Sequence, residues 1–327
     1  HSLGKLVKSL GIPMSDRHRA NGDAIATLKL FKMLLSKDSN KGIVKEVIRK
    51  ETEGELSPTQ LDIVSDLPSE TGVYYMHDKE GEIIFLGKTK NAKKRVNQHF
   101  TNIGQLARKL QKETKKVSFE RTGSELVAIL KEYQELRNNN PRYNHIAKKK
   151  LFSHVINFHQ NGTPHIEIEI VKNKFRKKKN LGFNGMVSAK NFLKKISEEF
   201  ELSPSSLGLV QKTDPLQNGY DHGYTGVESP KIYNQKLTSA FQKYSLTDKN
   251  IAILDKGREV GERSFILIKE GILKGFGYVE LNHQINNIHI LESIMTPMVS
   301  DENTAFIVES YLRKNSRLKV LELTPTA

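Results

Sequence analysis

The stretch TGVYYMHDKEGEIIFLGKTKNAKKRVNQHF, residues 71–100, carries Tyr74, Lys88 and Arg95, and GSELVAILKEYQELRNNNPRYN, residues 123–144, adds Glu132 and Asn144. Hydrolysis of a phosphodiester needs a water held in line, positive charge over the equatorial oxygens and help for the leaving oxygen. Tyr74 ends one predicted strand, Lys88 follows a second, and Arg95 sits a turn or two into the next helix. A hairpin returns the chain beside its start, so these three could converge on one phosphate. Glu132 is a candidate ligand for a divalent ion. Each type also has a plain reading: a strand tyrosine packs, an arginine on a lysine-rich helix is solvated, and a helix glutamate faces water. A second pair lies in DRHRANGDAIAT, where His18 precedes Asp23 at a helix start. A histidine that deprotonates water beside a metal-binding carboxylate suits two-metal cleavage. The helix dipole explains the same aspartate without chemistry.

The 327 residues include 52 Lys and Arg against 37 Asp and Glu, a formal charge of +15. Such a field attracts polyanions, and nucleic acid is the commonest. Candidate DNA contacts are Lys90, Lys93 and Lys94 around the predicted basic helix, Lys148, Lys149 and Lys150 after Asn144, and Arg176, Lys177 and Lys178 in KNKFRKKK. They suit phosphates rather than base edges, so salt-sensitive, weakly sequence-specific binding is expected. Phe175 in the same run either stacks on a base or anchors the loop. Absence of cysteine excludes disulfides and thiolate metal sites in this chain and agrees with a reducing interior. No apolar run of membrane-spanning length and no signal-like segment occurs, which gives a bacterial cytoplasmic reading with no membrane partner. The first residue is His1, which reads as a start inside a longer polypeptide.

The elements that must position these groups form a mixed α/β chain. Residues 1–37 read as short helix, turn and strong helix; 38–65 as a charged linker with some helical content; 66–147 as a small α/β domain on an antiparallel hairpin. Within it the pattern predicts strands at 72–77, 82–86 and 116–121 and helices at 91–99, 104–114 and 124–137. Residues 148–231 read as two strands, a basic loop, a helix near 188–200 and an irregular connector. Residues 232–327 read as an α+β region with strands near 250–254, 264–269 and 272–280, a helix over ENTAFIVESYLRK and a last strand in LKVLEL. Asp255, Lys256 and Arg258 are expected as solvated turn residues.

The two blocks around Tyr74 and Glu132 resemble the GIY-YIG nuclease domain, in the branch found in the incision subunit of bacterial nucleotide excision repair. The resemblance covers about residues 66–147. It implies Tyr74 as the first-motif tyrosine, Lys88 as the lysine after the second motif, and Arg95 as the stabiliser of the phosphoryl transition state. It likewise implies Glu132 as the single metal ligand, for Mg²⁺ or Mn²⁺, and Asn144 as the asparagine that closes the site. The second-motif tyrosine is Phe85 here, and a phenyl ring can neither take a proton nor polarise water. Two readings follow: Tyr74 with Lys88 serves the water, or the domain binds DNA and cuts slowly or not at all. His99 is a candidate to compensate, as a base or a phosphate contact.

SLGKLVKSLGIPMSDRHRANGDAIATLKLFKMLL resembles the end of a DEDDh exonuclease domain, the family of the proofreading subunit of the bacterial replicative polymerase. This implies His18 as general base and Asp23 as metal ligand, with the remaining acidic ligands on elements upstream. A fusion of 3′–5′ exonuclease and endonuclease is the expected parent, and IAILDKGREVGERSFILIKEGILKGFGYVEL is similar to the tail of such fusions. Their cysteine cluster is replaced here by NGYDHGYTGV, with Tyr220 and Tyr224, so neither zinc nor an iron–sulfur centre is expected. The function expected is metal-dependent DNA cleavage in repair. Its rivals are a DNA-binding module that targets a DEDDh exonuclease, and an adaptor for replication or repair proteins.

Overall fold

The computed structural model describes residues 3–12, 20–37, 56–144, 151–160, 162, 164–173, 180–209, 229–280 and 287–323. Helices α1 (Leu3–Ser9) and α2 (Ala20–Lys37) pack on each other and bury Val7 and Ala26. Ile25, Leu28, Phe31 and Leu34 of α2 remain exposed. Asp23 lies in the first turn of α2, as the sequence predicts.

The first folded unit opens with α3 (Pro58–Asp66). Its start is written into Ser57-Pro58-Thr59-Gln60: the Ser57 hydroxyl accepts from the Gln60 N–H, the Gln60 side chain accepts from the Ser57 N–H, and proline occupies the first turn. Leu56, Ile63, Val64 and Leu67 join Tyr74, Met76, Ile84, Val96, Phe100 and Leu110 in one core. The stretch 56–65, expected as the end of a linker, is therefore part of this unit. Strand β1 (Gly72–His77), β2 (Ile83–Thr89), α4 (Ala92–Thr101), α5 (Gln105–Glu113), β3 (Lys116–Arg121) and α6 (Glu125–Asn139) follow. The antiparallel sheet has the order β2-β1-β3. Strand β2 runs three residues further than predicted because Val73 and Gly72 continue to pair with Lys88 and Thr89. Lys88 thus lies inside the strand and not after it.

A second antiparallel sheet, in the order β5-β4-β6, is built from β4 (His154–His159), β5 (Glu167–Lys172) and β6 (Asn180–Phe183). Helices α7 (Met186–Glu199) and α8 (Pro230–Tyr244) cover it, with Phe192, Leu193, Ile196, Leu237 and Ala240 against Ile156 and Leu181. A boundary at 231/232 falls inside α8. The third sheet has the order β10-β9-β8-β7-β11, from β7 (Ile251–Lys256), β8 (Glu262–Lys269), β9 (Ile272–Glu280), β10 (Thr296–Pro297) and β11 (Lys319–Glu322). Helix α9 (Ile288–Ile294) precedes β10, and α10 (Glu302–Lys314) precedes β11.

Helix α6 belongs to two layers. Its Leu126, Val127 and Leu130 are fully buried in a core with Phe152, Val155, Ile253, Ile266 and Phe306. Burial of such side chains contributes roughly 1.5–3 kcal/mol each. Polar contacts fix the same interface: Ser124 Oγ donates to Asp255 Oδ2 at 2.7 Å, Tyr278 OH donates to the Thr122 carbonyl at 3.2 Å, and Tyr133 OH donates to Asp301 Oδ2 at 2.7 Å. Gly123, at φ +65°, lies so close that a Cβ would sit 1.9 Å from the Gly257 carbonyl oxygen. Asp255 and Arg258 are consequently not the solvated turn residues expected. Asp255 receives Ser124, while Arg258 pairs with Glu262 and lies 3.9 Å from the centre of the Tyr278 ring.

Candidate active site

Tyr74 is the third residue of the central strand β1, opposite Gly87 on β2 and Phe119 on β3. A Cβ at position 87 would lie 2.8 Å from the Tyr74 hydroxyl oxygen, so the glycine of the Phe-Leu-Gly block makes room for that hydroxyl. Tyr74 Oη is 2.7 Å from Nε2 of His99, on the last turn of α4. Arg95 stands one turn earlier on the same helix, four residues from His99 and hence on the same face. Phe85 packs edge-on against His99, with ring centres 5.1 Å apart, and lies 6.2 Å from Tyr74.

Burial sets the protonation states. It pushes the Tyr74 hydroxyl up to about 12, against the opposing pull of the Arg95 guanidinium. It pushes the His99 imidazole down to about 4, and the Arg95 charge acts in the same direction. At neutral pH the pair is a protonated phenol and a neutral imidazole, joined by one hydrogen bond whose donor depends on the imidazole tautomer. With Nδ1 protonated, Tyr74 donates to Nε2.

Strand β2 is a sheet edge, and its outward backbone groups need partners. Three residues on the connection around α6 supply them at alternate positions. The Tyr143 N–H donates to the Ile84 carbonyl at 3.0 Å. The Asn144 amide takes the Leu86 N–H on Oδ1 at 2.8 Å and donates through Nδ2 to the Leu86 carbonyl at 2.7 Å. Glu132 Oε1 takes the Lys88 N–H at 2.9 Å. Both polar atoms of Asn144 are thereby engaged with backbone, so Asn144 holds the edge and is a positioning residue in this arrangement. The placement of Glu132 follows from the same bracket. Burial raises the pKa of its half-buried carboxyl, opposed by the Lys88 N–H bond and then by the Lys88 and Arg95 charges.

A carboxylate anchored through one oxygen on a rigid strand fits a small hard cation that keeps most of its water. Among the described residues no group of three or more His, Asp or Glu side chains assembles into a protein cage. Glu132 with solvent and phosphate oxygens is the donor set that remains, and Asp23 joins it in no such group.

The structure brings together Tyr74, Lys88, Arg95, Glu132 and Asn144, with His99 as the partner of Tyr74. His18, Lys148, Lys149, Lys150, Phe175, Arg176, Lys177, Lys178, Tyr220 and Tyr224 lie outside the described residues. Of the three basic residues expected at DNA near Arg95, Lys94 is exposed, Lys90 pairs with Glu125 at 2.9 Å, and Lys93 donates to the Ser65 carbonyl at 3.0 Å. The sequence reading missed Gly87 and Tyr143; the glycine could have been found from the hairpin register that sets it opposite Tyr74.

Residues 70–145 match the family model described as the UvrC-like GIY-YIG domain. UvrABC system protein C of Legionella pneumophila (strain Lens) is 40% identical over 83 residues, covering 25% of this chain and 13% of that protein. The Clostridium acetobutylicum protein of the same name is 38% identical over 88 residues, covering 26% of this chain and 14% of its own length. This chain therefore spans about an eighth of the curated relatives it matches. Among solved structures, the magnesium-bound N-terminal GIY-YIG endonuclease domain of UvrC from Thermotoga maritima aligns with 27% of this chain and 99% of that one, at 21% identity and TM-score 0.26. The unit that carries Tyr74, Arg95 and Glu132 is a GIY-YIG domain similar to that of the nucleotide excision repair subunit UvrC.

Proposed function

We propose that the chain cleaves DNA phosphodiesters in repair, using the site on the β2 edge. The observation that supports this best is the gathering of one carboxylate, one guanidinium and a phenol–imidazole pair around the Lys88 end of β2. Arg95, exposed at the rim, faces the charge that develops on the phosphoryl oxygens. Tyr74 takes a proton from the attacking water while passing its own to His99 Nε2, so the phenol stays neutral throughout. The resulting hydroxide attacks phosphorus and the bond to the leaving oxygen breaks. An imidazole held at about 4 is a weak base by itself; the negative charge of a bound phosphate raises it toward the useful range. Lys88 places a second cation beside the carboxylate. Mg²⁺ or Mn²⁺ on Glu132 would supply Lewis acidity toward a phosphate oxygen.

Phe85 supports a second reading, a DNA-binding module that cuts slowly or not at all. The test is cleavage of end-blocked, labelled duplex, bubble and flap DNAs with Mg²⁺ or Mn²⁺, for the unaltered chain beside Glu132→Ala and Arg95→Ala, with binding followed in parallel. Internal cuts that vanish in both variants while binding persists are the expected result. Salt-sensitive binding without any cut by the unaltered chain overturns the enzyme and leaves the targeting module.

Residues 1–37 are proposed as the end of a DEDDh exonuclease domain within a longer polypeptide. The apolar row Ile25, Leu28, Phe31 and Leu34, exposed on α2, supports a covering layer there. Exonuclease activity is expected only from that longer polypeptide.

A further inference from the structure

A cleft of about 360 Å³ opens between β6, α7 and the C-terminal end of α10, and no residue of the β2-edge site lines it. Its volume lies in the range of small-ligand pockets. Lys195, Arg313 and Lys314 line it, and no carboxylate does. An anion is the ligand such a wall selects.

Arg313 is held in place. Its Nη2 donates to the Gly182 carbonyl at 2.7 Å, and its guanidinium lies 4.6 Å from the centre of the Phe183 ring and 5.6 Å from that of Phe192. Its Nη1 is buried without a hydrogen-bond partner among the described residues. A buried charged donor left unpaired is costly, and an incoming acceptor oxygen relieves it. Asn184, Ser188 and Asn191 add neutral donors and acceptors along the same wall, while Phe183 and Phe192 give it an aromatic side. Cations for a phosphate, amides for a base edge and ring or guanidinium planes for stacking are the chemistry of a single unpaired nucleotide.

We propose that this cleft binds an unpaired nucleotide of the DNA strand, with its phosphate on Lys195, Arg313 and Lys314. The inference rests on the reading of the chain as a protein that acts on DNA. It gives a flap or bubble a second hold, and it selects unpaired over fully paired DNA.

The test is fluorescence anisotropy of the full chain with a labelled duplex carrying a short single-stranded overhang and with the same duplex blunt. The variant K195Q/K314Q changes two exposed lysines, and R313Q is measured beside it. In K195Q/K314Q the overhang affinity is expected to fall about tenfold, with the salt slope reduced by roughly 1.4 for two lost phosphate contacts on a single strand. Blunt-duplex affinity is expected to stay within about twofold. Overhang binding equal to that of the unaltered chain overturns the cleft. So does AMP bound more tightly than the overhang, or displacement of the overhang by a glutamate-rich peptide. An unaltered chain that cuts DNA while K195Q/K314Q binds as before removes the cleft alone. A chain that never cuts but loses overhang affinity in the variant removes the nuclease reading and keeps the cleft.

Discussion

The first and second sheets share one plan. In each, the first strand is central, its hairpin partner forms one edge and a later strand forms the other, followed directly by a helix. Both hairpin edges are held by an asparagine amide. Asn144 brackets Leu86 on β2, and Asn234 takes the Ile166 N–H at 2.8 Å while donating to the Pro164 carbonyl at 2.7 Å just before β5. The third residue of the central strand is Tyr74 in one sheet and Ile156 in the other. Tyr74 reaches His99, and Ile156 is buried among the apolar residues of α7 and α8. Topology and edge bracketing therefore carry no chemistry on their own. The chemistry enters with four side chains, Tyr74, Arg95, His99 and Glu132, placed on a frame the chain uses twice.

The comparison breaks most sharply at Glu132 and Arg95. Glu132→Ala and Arg95→Ala are expected to lower the single-turnover cleavage rate by about 10²–10³ or more, measured at saturating DNA. Loss of the hydrogen-bonded pair in His99→Ala is expected to cost about 10²-fold in the same assay. If Phe85 limits the rate, Phe85→Tyr raises it about tenfold without changing DNA affinity; an unchanged rate assigns the proton transfer to Tyr74 and His99.

Stability gives the finer tests. His99 titrates near 6.5 unfolded and about 4 folded. The unfolded chain takes up the proton first, so its contribution to stability falls as pH drops from about 6.5 to about 4, by up to about 3 kcal/mol. Denaturant titrations of the unaltered chain and His99→Gln should diverge across that window and run parallel above it. Asn144→Ala and Asn234→Ala are each expected to cost about 1–3 kcal/mol in the same titrations, because each leaves strand groups without a partner. Only Asn144→Ala should also slow cleavage, since it alone loosens the edge beside Glu132.

Much of the catalytic frame was legible in the sequence. Strand β1 and β3 matched their predicted limits because alternation and turn residues bound them, and Tyr74, Arg95 and Glu132 stand where local pattern placed them. The limits of β2 were misjudged because Lys88 and Thr89 carry little strand preference and are kept in register by β1. Strand β6 was invisible for a different reason. It is four residues long, and its Gly182 is required by the Phe306 ring, to which a Cβ would come within 2.4 Å. The pairing of Ser124 with Asp255 joins residues 131 apart, a distance no local periodicity can report. Tyr74 was legible as a candidate, but its partner His99 emerged only when β1 and α4 came together.

Helix α6 turns one face to the β2 edge and another to the core of the third sheet. A helix that completes two cores makes them thermodynamically one: neither can open without exposing Leu126, Val127 and Leu130. Heat should therefore melt the sheet that holds the chemistry and the sheet behind it in a single calorimetric transition, with no plateau between them. The grip on Glu132 is then as firm as the global stability of both layers, and a weakness far from the DNA, at Gly257 or Asp301, reaches the carboxylate as a loss of rigidity.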